Sequence, residues 1–480
     1  MKSPLLLMIF VIVIAISLKS CKSQTESKLE GNNRTSTEFL ETSISDKQAT
    51  ISHFNPRFEE QAVIYEVNIR QYSPEGTFNA FTKDIPILKE LGVKVLWVMP
   101  IFPISKTKRK GSLGSYYAVS DFKAVNPEFG TQEDVDALIA TAHKNGIYVI
   151  LDWVPNHTGW DHTWIKEHPE WYTKNEKGEI IDPSDPETGK SYGWADVADL
   201  NYNSIEMQAA MIEDLQYWVR ERDVDGFRMD VAHKVPVEFF KTAIDSLEKI
   251  KDVFMLAEAE QPNLMDNGFD MHYSWEMHHL MNDVAKGSKK AKDIGEKLLD
   301  YKKRLGPTHI NMYFITNHDE NSWAGTLEER MPQKKDIFTA LTYTMPGMPL
   351  IYSGQEYDLN HRLAFFEKDS IPKKRGPYFE LLKKLGQLKN SELSLHGGKN
   401  AASFQLLETK DSDVLAFLRL KDGQALVYIG NFSNVSKKIA PPFEGSFADK
   451  LKKGVVYKGV DAFSLGAWDY KILEPLKDDN

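Results

Sequence analysis

The strongest constraint on the fold is a repeated alternation between short apolar runs and amphipathic segments. Residues 63–67 and 93–98 are apolar runs of strand length, whereas 135–145 and 204–222 carry apolar residues at helical spacing. Because such units recur over about 320 residues, the pattern predicts a parallel sheet covered by helices. About eight units closed on themselves give an α/β fold, the (β/α)8 TIM barrel. Further strands are predicted at 147–151, 225–229, 254–257, 312–315 and 349–352, and a weaker one at 268–272.

Two stretches depart from this alternation. Residues 157–203 are long, polar and aromatic, which indicates a subdomain inserted after the third strand. After about residue 395, short apolar runs separated by polar turns predict a small antiparallel β domain. We therefore predict a barrel over 56–395, including the insertion, and a C-terminal antiparallel β-sandwich over 396–480.

The first residues have the pattern of a bacterial lipoprotein leader. Lys2 is followed by an apolar run at 5–16, which is too short to span a membrane comfortably. The sequence Leu-Lys-Ser-Cys at 18–21 then resembles a lipobox, in which the cysteine becomes the lipidated first residue. An ordinary signal peptide, or an N-terminal anchor helix with an incidental cysteine, is the alternative.

The leader divides the N-terminal region into two parts. We predict a signal peptide over 1–20, lipidation of Cys21 and a disordered polar tether over 21–55. A lipid anchor of this kind holds a protein to the membrane of the cell envelope. It would face the periplasm or the outer surface of the cell.

Charge and cysteine content exclude several classes of protein. The chain has 59 Lys and Arg residues against 69 Asp and Glu residues, a net charge of −10. Nucleic-acid binding needs a basic face, so no nucleic-acid partner is expected. Cys21 is the single cysteine in the sequence, which excludes an intramolecular disulfide framework and a Cys-rich zinc site.

Charged side chains follow four of the predicted strands, where the active site of a TIM barrel lies. Burying several carboxylates in a structural core would cost several kcal/mol each, so a polar pocket is the better interpretation. These groups are Asp152 and His157, Arg228 and Asp230, Glu258, and His318 with Asp319.

The neighbours of two carboxyls predict opposite protonation states. Arg228 and Asp230 are two residues apart on one strand and face the same side, which favours the ionised form of Asp230. Glu258 lies among Leu256, Ala257 and Ala259, where desolvation raises a carboxyl pKa and suits a general acid. Such a pair is typical of glycoside hydrolysis.

These motifs resemble those of the α-amylase family, the retaining enzymes that act on α-glucans. The resemblance covers about residues 60–480, and the ordered set of motifs is far more specific than any one of them. The matching segments are 92–100, 117–122, 152–157, 197–201, 226–230, 254–260, 314–319 and 347–356.

The resemblance implies a role for each carboxyl. Asp230 would attack the anomeric carbon, Glu258 would act as acid and then base, and Asp319 would stabilise the distorted sugar. It also implies an α-glucan substrate and no organic cofactor. Further substrate contacts are implied for Tyr117, as an aromatic platform, for His157 and His318, and for Arg228, which would orient Asp230.

Two departures from the family pattern bear on substrate choice. His233 and Lys234 stand in the reverse of the family's usual order, which puts their contacts with acceptor-side sugars in doubt. Glu260 stands where an aromatic residue often follows the acid, and we expect it to add charge beside the leaving group. Asn156 and Asp199 match positions of the family's calcium site, but Ca²⁺ takes six to eight oxygens, so calcium stays an open question.

Three functions are compatible with these residues. The leading hypothesis is a hydrolase that cleaves α-1,4 bonds, and by extension α-1,6 bonds, in starch-type glucans, maltooligosaccharides or cyclodextrins. A 4-α-glucanotransferase would use the same catalytic residues. A non-catalytic glycan-binding surface lipoprotein would be expected to lack one of the three carboxylates. We expect a monomer.

Overall fold

The structure of the protein is a computed structural model. It describes residues 58–185, 187–306, 309–441, 445–458 and 462–476. The predicted signal peptide, Cys21 and the tether lie outside the described residues, so these predictions stay untested. Among the described helices, none has both the length and the apolar character needed to cross a membrane.

Eight parallel strands close into a barrel in the order β1-β10-β9-β8-β7-β6-β3-β2. The barrel strands are β1 Ile64–Val67, β2 Val95–Val98, β3 Tyr148–Trp153, β6 Gly226–Met229, β7 Phe254–Ala257, β8 Met271–Tyr273, β9 Ile310–Tyr313 and β10 Met348–Tyr352. The predicted TIM barrel is confirmed, including β8, the strand for which the sequence signal was weakest. The predicted run 312–315 starts two residues later than β9. Because strand side chains alternate, an offset of two residues leaves the predicted inward set, which includes Met312, unchanged.

Helices cover the outside of the barrel, and several of them begin at a residue whose side chain caps the first turn. In the helix Gln132–Lys144, Thr131 and Asp134 form a reciprocal capping box at the start. The helices are α1 Ile69–Tyr72, α2 Phe78–Thr82, α3 Ile85–Glu90, α4 Gln132–Lys144, α5 Thr163–Glu167, α6 Ile205–Arg222, α7 Val237–Leu247, α8 Pro262–Met265, α9 Trp275–Lys286, α10 Ala291–Arg304, α11 Leu327–Arg330, α12 Lys335–Thr344 and α13 Pro377–Ser391.

The barrel interior is filled by alternate residues of each strand. Inward side chains such as Ile64, Ile150, Leu256 and Met312 form a buried apolar cluster of their own, separate from the core between the barrel and its helices. Two residues further along β3 the inward position is Asp152. The same step leads from Ile64 to Glu66 and from Leu256 to Glu258. The barrel interior thus has an apolar layer, and a polar layer lies above it at the C-terminal end of the strands.

Close strand packing at β6 requires a glycine. Gly226 has φ +149°, and a Cβ built there would lie 1.9 Å from the backbone oxygen of Phe254 on β7. Any side chain at this position would push β6 and β7 apart. The glycine therefore holds together the two strands that carry Asp230 and Glu258 at their ends.

The predicted insertion extends from the end of β3. It contains the short antiparallel ribbon of β4 His157–Gly159 and β5 Val197–Asp199, in which His157 pairs with Asp199. The ribbon returns the insertion to the rim of the barrel next to its entry point.

The C-terminal strands form an antiparallel sheet in the order β11-β12-β13-β18-β15-β16, with β14 and β17 paired separately. The fully buried Arg419 of β12 joins this sheet to the barrel, donating to the backbone oxygens of Thr344 and His396 at 2.8 Å each. The strands are β11 Ser403–Leu407, β12 Val414–Lys421, β13 Gln424–Asn431, β14 Lys437–Ile439, β15 Ser446–Asp449, β16 Val456–Lys458, β17 Phe463–Leu465 and β18 Tyr470–Leu476.

Candidate active site

The fully buried guanidinium of Arg228 organises the centre of the polar layer. Its Nη1 donates to Asp152 at 2.9 Å and to Asp230 at 2.7 Å, and its Nη2 lies 3.0 Å from Glu258. The phenol oxygen of Tyr273 accepts from its Nε at 3.2 Å. One cation is therefore shared by three carboxyls, each from a different barrel strand or the residues just after it.

Burial dominates the electrostatics of two of these carboxyls. Burial raises the pKa of Asp230 well above its ordinary value, although Arg228 acts to lower it, and Glu258 and Asp152 raise it further. Burial likewise raises the pKa of Asp152 to about 6 against the effect of Arg228. The predicted contact between Arg228 and Asp230 is present, but its effect on Asp230 is outweighed by burial.

The surroundings of Glu258 differ from the apolar environment that the sequence predicted. Its carboxyl lies beside Arg228 and accepts a hydrogen bond of 2.7 Å from the backbone N–H of Val231. Its apolar sequence neighbours Ala257 and Ala259 are themselves buried in the core. The prediction was wrong because neighbours in a strand point to the opposite face from the residue between them.

Val231 adopts a conformation that is unusual for a branched side chain. Its φ is +46°, in the left-handed region that L residues with a branched Cβ rarely adopt. This turn directs the N–H of Val231 at Glu258 immediately after Asp230. Local strain is thus coupled to the orientation of Glu258.

A second chain of hydrogen bonds links Tyr117, His318 and Glu66. The Tyr117 phenol donates to Asp152 at 3.1 Å and lies 2.9 Å from Nε2 of His318. The other ring nitrogen of His318, Nδ1, contacts the buried carboxyl of Glu66, and Nε2 lies 3.3 Å from Asp319.

The charge on His318 follows from its two carboxyl neighbours. Burial acts to lower the pKa of His318, but Asp319 and Glu66 together raise it to about 9. The ring is therefore a cation at neutral pH, with both N–H groups available to donate. It provides a second buried positive charge near Asp319, opposite the one on Arg228.

These groups line a cavity of about 470 Å³ at the C-terminal end of the barrel, a volume that suits a compact organic ligand. Six predicted site residues line it: Tyr117, His157, Asp230, Glu258, His318 and Asp319. Arg228 is buried beneath them. The further lining residues are Lys110, Ser115, Trp194, Asp196, Val197, Val231, Trp323, Phe365 and Phe366.

Three residues that the sequence associated with the leaving-group side are not among the described residues that line the cavity. His233 is exposed on the turn after Asp230, and Lys234 packs its Nζ 3.8 Å from the ring centre of Tyr192 in the insertion. Glu260 accepts from the Tyr301 phenol at 2.7 Å and from the backbone N–H of Glu276 at 3.0 Å.

The position of Glu260 corrects the expectation that it adds charge beside the leaving group. Glu276 lies in the first turn of α9, where backbone N–H groups have no partner within the helix and attract a carboxylate. Glu260 therefore stabilises a helix start, and burial raises its pKa.

The two candidate calcium ligands do not make a calcium site by themselves. Asn156 donates its amide to Nδ1 of His157 at 3.2 Å, and burial raises the pKa of Asp199 to about 6. Within the described ranges, no group of three or more His, Cys, Asp or Glu side chains is placed to hold a metal ion. Calcium binding thus stays a prediction from the resemblance.

Sequence reasoning missed several groups that build the site. Glu66 ends an apolar run at the inward position, so the search for charges at strand ends would have found it. Lys110 stands in a basic loop, a sequence context that is usually solvated, yet it lines the cavity and pairs with Asp196 at 2.8 Å. Nothing local in the sequence marks Phe365, because it reaches the cavity from a distant loop.

The fold and the site define a (β/α)8 barrel with a buried carboxyl cluster at the C-terminal end of its strands. The family model for the alpha-amylase catalytic domain matches residues 32–375. The chain therefore belongs to the α-amylase family.

Individual relatives are distant in sequence. The alpha-amylase MalA of Haloarcula japonica is 24% identical over 408 residues, which cover 81% of this chain and 58% of that protein. The intracellular maltogenic amylase of Bacillus subtilis is 25% identical over 392 residues, 76% of this chain and 63% of that protein. The chain thus spans about three fifths of the length of these curated relatives.

Two solved structures match over nearly their whole length. The noncanonic maltogenic alpha-amylase AmyB from Thermotoga neapolitana has a TM-score of 0.78 at 26% identity, covering 87% of this chain and 99% of that one. An alpha-amylase from Lactobacillus plantarum has a TM-score of 0.78 at 28% identity, with the same coverage.

The shared guanidinium makes a prediction about stability. Replacing Arg228 by Met leaves two buried carboxyls, Asp152 and Asp230, and the partly exposed Glu258 without their cation, which we expect to cost about 3–5 kcal/mol of unfolding free energy. Because protonation removes the repulsion, the loss should be larger at pH 8 than at pH 5. Thermal unfolding at both pH values measures it.

A surface arginine provides the control for this measurement. Arg222 pairs with Asp136 at 3.0 Å near the end of α6, and Arg222→Met should cost far less at either pH. A loss in Arg228→Met that equals the control, or that does not change with pH, would contradict the role of Arg228 as the shared counter-charge.

Proposed function

We propose that the protein is a retaining glycoside hydrolase that cleaves α-glucosidic bonds in starch-type glucans, maltooligosaccharides or cyclodextrins. The observation that carries the proposal is that one guanidinium holds both Asp230 and Glu258. Two carboxyls bound by one group lie close together, and retaining glycosidases need a separation of about 5–5.5 Å.

The first step forms a covalent intermediate. Asp230, ionised, attacks the anomeric carbon while Glu258 transfers its proton to the glycosidic oxygen, and the bond between that carbon and oxygen breaks. The Val231 N–H fixes the carboxyl of Glu258 at one oxygen, so the other oxygen is directed toward the leaving group. In the second step Glu258, now ionised, removes a proton from water, which attacks the same carbon and releases Asp230.

The second hydrogen-bond chain supports the charge that develops on the sugar. The transition state has oxocarbenium character, and the flat ring of Tyr117 provides a surface on which the attacked sugar can stack. Asp319 accepts hydrogen bonds from sugar hydroxyls, and the cationic His318 donates to the same region and holds Asp319 in place. Glu66 keeps the ring of His318 oriented.

The named amylases among the relatives support hydrolysis, while a cyclomaltodextrin glucanotransferase of the same fold keeps transfer as an alternative. Relatives named alpha-amylase or maltogenic amylase match this chain over the whole of its barrel. A glucanotransferase would use a sugar hydroxyl in place of water with the same residues. A non-catalytic glycan-binding protein does not need the three carboxyls that line the cavity here.

The nucleophile can be tested directly. Asp230→Asn removes the attacking charge, and we expect kcat on maltoheptaose to fall about 10³-fold or more while binding of the sugar is kept. Asp245→Asn, an exposed position on α7, is the matched control and should keep normal kinetics. Reducing-sugar release and calorimetric binding measure the two effects. A near-normal rate in Asp230→Asn would exclude Asp230 as the nucleophile.

The raised pKa of Asp230 predicts the acid side of the pH profile. Asp230 must be ionised to attack, and a raised pKa means that it takes up its proton at a higher pH. Activity is therefore lost as the pH falls through that raised value, and we expect the acid midpoint of kcat/KM above the ordinary Asp value of about 4. Circular dichroism at each pH checks that the protein is folded. A midpoint at or below about 4 would contradict the burial argument.

We also propose that Cys21 carries the lipid that anchors the enzyme in the cell envelope. The apolar run at 5–16 followed by the lipobox-like sequence supports this proposal. The proposed enzyme would act as a monomer on glucans at the periplasmic face or the cell surface.

The anchor has its own test. In cells expressing the full chain, Cys21→Ala should move the protein from the membrane fraction to the soluble fraction, whereas Ser27→Ala should leave it membrane-bound. Mass spectrometry of the wild-type N-terminus should show a lipidated Cys21. An unmodified N-terminus beyond Cys21 would contradict the anchor and leave the enzymatic proposal intact.

A further inference from the structure

We infer that the cavity is closed on the side that receives the non-reducing end, so the enzyme cuts near chain ends and not within long chains. This inference rests on the proposed function and narrows its substrates to open chains, since a cyclodextrin has no non-reducing end to place at a closed wall. It is carried by contacts between two loops that are distant in sequence: the β2 loop, residues 105–115, and the β10 loop, residues 360–369.

The two loops are joined by backbone and side-chain hydrogen bonds. The backbone N–H of Leu113 donates to the backbone oxygen of Phe366 at 3.0 Å. The N–H of Ser112 donates to Glu367 at 2.8 Å, and the Ser112 hydroxyl contacts the same carboxyl. Gly111 has φ +63°, and a Cβ there would lie 2.4 Å from Cβ of Phe366, so the loops meet at a distance that requires a glycine.

The joined loops are fixed from below by the segment that follows β1. Arg70 of α1 is buried and donates to the backbone oxygens of Gly114 at 3.0 Å and Leu113 at 3.1 Å. Lys368 of the β10 loop donates in turn to the backbone oxygens of Arg70 and Ser73, at 2.7 Å each. These bonds make the joined loops a built wall of the cavity.

The wall continues to the insertion on the other side. Lys110 of the β2 loop pairs with Asp196 at 2.8 Å and donates to the backbone oxygen of Gly193 at 3.2 Å. From the β10 loop, Phe365 packs against the exposed Trp323, with ring centres 5.2 Å apart. All of Lys110, Asp196, Phe365 and Trp323 line the cavity.

Strand order identifies which end of the substrate meets this wall. Around the closed barrel, β10 and β2 flank β1, and β7 is the strand directly opposite β1. The joined loops therefore lie over β1, across the barrel from Glu258, which follows β7. Because Glu258 protonates the leaving oxygen, the leaving part of the glucan lies on its side. The part that carries the non-reducing end points toward the joined loops.

The wall limits how many sugars can precede the scissile bond. The ring of Phe365, from the β10 loop, lies almost parallel to that of Tyr117 with centres 6.4 Å apart, so the wall comes within one ring contact of the aromatic platform. The cavity volume suits a small saccharide, and a longer chain would have to pass through the joined loops. The released glycone is therefore a short oligosaccharide from the non-reducing end.

A substrate blocked at the non-reducing end provides the test. p-Nitrophenyl maltoheptaoside and its 4,6-ethylidene derivative are the same chain, with a bulky cap on the terminal sugar of the second. We expect wild-type protein to cleave the blocked chain at about one tenth of the unblocked rate or below, because the cap meets the wall. Chromatography of the products measures both rates and shows where each chain is cut.

Opening the wall should relax this discrimination. Phe366→Ala removes an aromatic ring that lines the cavity at the joined loops, and the ratio of blocked to unblocked rates should rise severalfold. Glu380→Ala, an exposed carboxyl on α13, is the control and should leave the ratio unchanged.

The possible results separate the two proposals. Equal rates on both substrates in wild-type protein, or a ratio that Phe366→Ala does not raise, would overturn the closed-wall inference and leave the hydrolase proposal in place. Lack of cleavage of either substrate or of any other α-glucan would overturn the proposed function and this inference with it.

Discussion

The structure depends on one buried positive charge. Arg228 reaches three carboxyls at the mouth of the barrel, and without it those carboxyls would repel each other in a region of low solvent access. The cost of burying the arginine is offset by these pairs and by the phenol of Tyr273. The same pairs bring Asp230 and Glu258, the proposed nucleophile and acid, into one small volume. Stability and chemistry at this site therefore have a common physical origin, and neither can be altered at Arg228 without the other.

A second cation completes the electrostatic layer. His318 is held in its charged form by Glu66 and Asp319, and its ring lies between the aromatic surface of Tyr117 and the buried base of the barrel. The two cations are linked through Tyr117, which contacts both Asp152 and His318. A substrate entering the cavity thus meets positions of charge that were set during folding, so little reorganisation is needed when charge develops on the sugar.

Loops decide what this shared site can accept. The barrel provides the carboxyls, but the walls come from the insertion and from segments after β2 and β10. Lys110 and Phe366 belong to such segments, and their contacts join regions that are far apart in the sequence. The strands of this TIM barrel therefore position the active-site carboxyls, while the loops determine the shape of the cavity.

The sequence alone determined the barrel, because strand and helix periodicities are local and repeat along the chain. It also predicted Asp230, Glu258, Asp319, Tyr117 and His318 at one cavity, since the ends of parallel strands meet at one face. It could not determine the surroundings of Glu258 or Glu260, because strand neighbours point away and partners such as Tyr301 come from other helices. Lys110 and Phe365 reached the site only through tertiary structure. The protonation states of the site residues, the cavity walls and the loop contacts depend on distances through space. Those distances are fixed only when the whole barrel closes.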